Sequence, residues 1–128
     1  MMTMPALFVS ALVPAFCEEA IRSSYLFFLG DRGSRRGVVL SLGAVFILGE
    51  IIYDASVFPE AEAELGPDIA IPLLAVAVIT GSLLHLSLTL WTAERQKWGL
   101  NVWRVFASAL SIHLVFNLIA LAVIGAMI

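Results

Sequence analysis

Charge is scarce in this chain. Asp, Glu, Lys and Arg make up 13% of its 128 residues, against 61% hydrophobic ones. Soluble domains carry charge on roughly a quarter of their residues. With a mean hydropathy of +1.00, the composition excludes an ordinary soluble domain and points to a single-domain integral membrane protein. Cysteine is nearly absent: Cys17 alone excludes an internal disulfide and any CxxC metal site, and reads as a small packing residue. No basic face exists, so nucleic acid is not an expected partner. No basic residue precedes the first apolar run, and no polar mature domain follows it, so a cleavable signal peptide is not expected.

What is present is a set of long apolar runs. A helix needs about 20 apolar residues to cross the hydrocarbon core. Four segments qualify, at about 3–29, 37–58, 68–93 and 102–127. The expected fold is therefore all-α: a polytopic membrane protein built as a four-transmembrane-helix bundle. Asp68 is a candidate N-cap for the third span, with Pro72 in its tolerated first turn. Pro14 is a candidate kink in the first. The Ser and Thr residues of the third span are expected to bond to their own backbone, and Gly43, Gly49 and Gly81 to mark close packing.

The connecting segments sort their charges. Arg32, Arg35 and Arg36 lie in the first, and Arg95, Lys97 and Arg104 in the third. The second, DASVFPEAEAELGPD, has no Lys or Arg; it reads as a solvated acidic loop with a short surface helix over EAEAEL. The positive-inside rule then places the first and third loops in the cytoplasm and both termini outside. Six of the seven cationic residues obey it, and the seventh, Arg22, lies within a span. Trp91, Trp98 and Trp103 would form an aromatic belt at the cytoplasmic interface.

Few ionisable residues lie within the spans, and intramembrane ionisable residues are functional candidates by default. They are Glu18, Glu19, Arg22, Glu50, His85 and His113, with Asn117 one turn beyond His113. Glu18, Glu50, His85 and His113 each fall within about four residues of a span midpoint, hence within roughly 6 Å of one plane at 1.5 Å per residue. The sequence thus predicts polar residues converging near the bilayer midplane. Arg22 can reach either carboxylate, being i+4 from Glu18 and i+3 from Glu19. His113 and Asn117 share a helix face.

Two chemistries fit these residues. In one, a glutamate acts as general base on water while a histidine and Asn117 donate to an oxyanion. In the other, Glu50, His85 and His113 bind zinc and leave a position open for water. HExxH is absent, so a metal site would need ligands from different helices. The blander alternatives are an ion pair between helices for Glu18, Glu19 and Arg22, a helix-capping role for Glu50, and interhelical hydrogen bonds for His85, His113 and Asn117.

The ordered residues resemble a known motif set: EExxR at Glu18–Arg22, FxxxE at Phe46–Glu50, a mid-helix His85, and HxxxN at His113–Asn117. Their order, one per helix, resembles the PrsW-type intramembrane proteases. The wider superfamily includes the CAAX prenyl endopeptidases, bacteriocin-immunity-type relatives and the anterior-pharynx-defective subunit of gamma-secretase. The resemblance implies hydrolysis of a peptide bond of a membrane-associated substrate, in a prokaryotic plasma membrane, by a glutamate-activated water or at a zinc ion. It would make Glu18, Glu19, Arg22, Glu50, His85, His113 and Asn117 the catalytic set. Arg22 replaces the family's lysine, which keeps charge but not titratability, and Asn117 ends the last motif as in the CAAX branch. The chain would be a minimal catalytic core that could dimerise to cover polar faces. A non-catalytic scaffold or immunity-type protein, and a metal or proton carrier, are the competing functions.

Overall fold

The structure is a computed structural model and describes residues 4–32 and 35–127. It is all-α. Helix α1 spans Met4–Leu29, α2 Arg36–Leu65, α3 Pro67–Lys97 and α4 Val102–Met127, with a 3-10 turn at Gly30–Arg32 after α1. Among the described residues, α2, α3 and α4 are long and apolar enough to cross a membrane. Large apolar side chains such as Val45, Ile52 and Ile119 lie exposed along them, as lipid-facing positions would.

The helix ends are set by local chemistry. Gly66 closes α2 with a positive φ of 78°, and its N–H donates to the Glu62 carbonyl at 2.9 Å. Its own carbonyl accepts from Ala70 at 2.9 Å and so opens α3, with Pro67 in the first helical position, where its missing N–H costs nothing. This corrects the expectation for Asp68, which lies inside the first turn rather than at the cap. Pro72 accordingly lies in the second turn of α3, where it removes one backbone bond near the helix start.

The acidic segment is also not a separate surface helix. EAEAEL continues α2 without a break. Ala, Glu and Leu are strong helix formers, and Pro59 costs the helix one donor. No break occurs near Asp54 for Glu50 to cap.

At the end of α3, Gly99 (φ 70°) donates to the Gln96 carbonyl at 3.0 Å, and Leu100 donates to the Arg95 carbonyl at 3.3 Å. This pair of bonds is a Schellman closure. Asn101 then caps α4: its Oδ1 accepts from the Trp103 N–H at 2.9 Å.

The chain divides into two compact units, Met1–Arg35 with Trp91–Ile128, and Arg36–Leu90. In the first, α1 packs on α4. Contacts pair Ala11 with Asn117 and Glu19 with His113, so the two helices run antiparallel. Phe16 meets Phe106 edge to face, with ring centroids 5.6 Å apart. In the second, α2 and the first part of α3 meet through Gly43 against Leu86 and Gly81 against Glu50.

Candidate functional site

In the first unit a stripe of α1 is buried, Ala11, Ala15, Glu19, Arg22 and Leu26, with Ser23 buried at its side. The stripe residues recur at i+3 or i+4, one face of a helix. On α4, Val105, Ala109 and His113 form the matching buried stripe. Alanines at Ala11, Ala15 and Ala109 leave little side chain between the backbones, the small-residue packing common in membrane helix pairs. That close approach brings the longer polar side chains at the same faces into hydrogen-bonding range.

Glu19 and Arg22 are both 0% exposed. Arg22 Nη1 is hydrogen-bonded and ion-paired to Glu19 Oε1. The same oxygen lies 2.8 Å from His113 Nδ1. A carboxylate accepts only, so Nδ1 carries the proton in this contact. The other ring nitrogen, Nε2, lies 3.6 Å from Glu18 Oε2. One imidazole thus stands between two carboxylates with its two nitrogens in different roles. Glu19, anchored by Arg22, fixes the ring, and Glu18, half-buried, faces its outer nitrogen. Glu19 Oε2 is buried with no hydrogen-bond partner among the described residues. Asn117 donates from Nδ2 to the Ala11 carbonyl at 3.2 Å, pinning α4 to the backbone of α1 one turn before Pro14.

The second unit holds its own acid–imidazole pair. His85 is 2% exposed, and its Nε2 lies 3.4 Å from Glu50 Oε2. The Phe46 ring stacks on His85 with centroids 5.7 Å apart and planes 11° from parallel. Phe46 and Glu50 are one helical turn apart, so the FxxxE spacing grips the imidazole by face and by edge. Gly81, one turn before His85, leaves the space in which Glu50 lies: a Cβ there would stand 3.2 Å from Glu50 Cγ and 3.3 Å from Oε1. Thr89 Oγ1 donates to the His85 carbonyl at 2.7 Å.

Of the residues singled out from the sequence, Glu18, Glu19, Arg22, His113 and Asn117 therefore lie in the first unit, and Glu50 and His85 in the second. Asn117 is engaged with backbone. Thr80 and Thr89 bond to their own helix as expected, whereas Thr92 Oγ1 is buried without a partner among the described residues. Three contributors were not anticipated as site residues. Ala15 and Ala109 set the helix approach, and Gln96 donates from Nε2 to the Ser23 carbonyl at 3.2 Å. The small-residue spacing on α1 was the available signal. No protein-family model, curated protein or solved structure matches the chain.

Proposed function

We propose that the chain is an integral membrane protein with four crossings, both termini outside, and that it hydrolyses a peptide bond of a membrane-associated substrate. Helix α1 would be the fourth crossing, with Glu19 and Arg22 neutralising each other beside His113. Glu18 is the general base, taking a proton from the attacking water. Glu18 passes that proton to His113 Nε2, which carries none while Nδ1–H faces Glu19, and the imidazolium so formed gives it to the leaving amine. Glu19 and Arg22 hold the imidazole in the tautomer this requires, the role of the orienting acid in other catalytic triads. The observation that carries this reading is the imidazole between two carboxylates, Nδ1 at 2.8 Å from Glu19 and Nε2 at 3.6 Å from Glu18.

A second reading makes the same geometry metal-binding. An imidazole whose Nδ1 is held by a carboxylate is well prepared to ligate zinc through Nε2, and Glu18 Oε2 could join it. A catalytic zinc needs about three protein ligands. The first unit offers Glu18 with His113, and the second Glu50 with His85; of the set expected from sequence, Glu50 and His85 lie in one and His113 in the other. Bound zinc would polarise a carbonyl and lower the pKa of a water.

The test is cleavage of a fluorogenic membrane-anchored peptide by protein reconstituted in liposomes. Glu18→Gln should lower the rate about 10²–10⁴-fold, the range general acid–base groups supply, with the fold intact. Full activity in both Glu18→Gln and Glu19→Gln would refute hydrolysis by this cluster. Loss of activity on chelation, restored by zinc with stoichiometric metal in the purified protein, would select the second reading.

A further inference from the structure

A hydrolytic site within a bilayer has to be supplied with water, and one face of the first unit is built for it. A cleft of about 210 Å³ opens where α1 and α3 end, lined by Leu26, Phe27, Ala93, Gln96, Asp31 and Lys97. A water needs roughly 10–15 Å³ of cavity, so the cleft holds several. Its lining joins apolar Leu26, Phe27 and Ala93 to polar Asp31, Gln96 and Lys97.

Inward from the cleft lie polar atoms that the fold leaves unsatisfied. Ser23 Oγ, one turn before Leu26 and Phe27, is buried with no hydrogen-bond partner among the described residues, and so is Thr92 Oγ1, one turn before Gln96. One further turn along α1 comes Glu19 Oε2, in the same condition. Buried hydroxyls and carboxylate oxygens are rarely left so unless water completes them. Glu19, Ser23 and Phe27 follow one another at i+4 on one face of α1, about 6 Å per step. One bridging water spans such a step with two hydrogen bonds of about 2.8 Å. The Gln96–Ser23 bond at 3.2 Å holds α3 beside α1 at the mouth of this path.

We infer that the cleft at the ends of α1 and α3 is the entry by which water reaches the glutamate pair, passing Ser23 and Thr92. The inference rests on the hydrolytic reading of Glu18 and His113. It assigns Ser23 and Thr92 as hydration sites and leaves the chemistry to the cluster.

The test needs no turnover, so it fails or succeeds separately from that reading. In a Cys17→Ala background, Ser23→Cys and Thr92→Cys are placed in liposomes and treated with a small charged thiosulfonate. Ile21→Cys, on the exposed apolar side of α1, is the control. Only a hydrated thiol ionises readily to the reacting thiolate, so both variants should react about tenfold or more faster than the control. Plugging the cleft with Ala93→Phe, or from its other wall with Phe27→Trp, should remove the difference. Reaction of Ser23→Cys and Thr92→Cys no faster than the control, or rates unchanged by both plugs, would overturn the route.

Discussion

Replacing Arg22 by Met tests the buried cluster directly. Met is of similar reach and uncharged, so the change removes the cation without opening a large cavity. Glu19, 0% exposed, then keeps its charge with His113 Nδ1 at 2.8 Å as its remaining partner. Breaking a buried ion pair by removing one member costs about 3–5 kcal/mol. His113 still offsets part of this, so the loss should fall near 3 kcal/mol. Removing the orphaned charge as well, in Glu19→Gln with Arg22→Met, should recover much of it. Residues in one hydrogen-bonded network couple by up to about 3 kcal/mol, and the cycle should show a coupling of about 2–3 kcal/mol. The assay is equilibrium unfolding in mixed detergent micelles, followed by helical circular dichroism for the parent, both single variants and the double variant. A loss below about 1 kcal/mol in Arg22→Met, or strictly additive single changes, would refute the claim that these groups form one buried unit.

Two further predictions concern packing and caps. Gly81→Ala and Gly49→Ala make the same chemical change at two positions inside long apolar helices, so the gain in helix propensity cancels between them. A Cβ at Gly81 meets Glu50 at 3.2 Å, whereas one at Gly49 meets nothing within 4 Å. Gly81→Ala should therefore be the less stable by about 1–3 kcal/mol, the usual cost of overpacking. Adding Glu50→Asp, one methylene shorter, should narrow that gap in the same unfolding assay, and equal stabilities of the two glycine variants would count against the contact. Asn101→Ala removes the 2.9 Å cap on the Trp103 N–H and should cost about 0.5–2 kcal/mol, whereas Asn101→Asp should keep most of it; losses of the same size in both variants would argue against capping.

The long helices were legible because nothing else explains so many apolar residues in unbroken runs. The ends were less so. Asp68 has the residue type of a cap, but Gly66 and Pro67 stand just before it and supply the closure and the first helical position between them. The acidic segment read as a loop because charge signals solvent, yet Ala and Glu are also the residues a helix favours. In the site, Glu19 with Arg22 follows from i+3 spacing alone. The partner of each imidazole does not, because it depends on how helices face one another.

The choice between Glu18 and Glu19 shows where periodicity stops. At about 100° per residue, Ala11, Ala15, Arg22 and Leu26 centre their stripe so that Glu18 and Glu19 fall about 50° to either side of it. The helical wheel cannot rank them. The packing does: Glu19 is buried against His113 and Arg22, while Glu18 stays half-buried at the outer nitrogen.

This division follows from the small residues that surround it. Were Ala15 or Ala109 larger, α1 and α4 would stand further apart, and the 2.8 Å contact from His113 to Glu19 would lengthen toward the separation at which water intervenes. The imidazole would then have no fixed tautomer. Packing and chemistry in this unit are therefore one arrangement. The alanines hold the backbones close, closeness lets Glu19 and Arg22 bury their charges against each other and His113, and Glu18 is left half-buried opposite Nε2. Glu18 opposite Nε2, 3.6 Å away, is the feature on which the proposed hydrolysis turns.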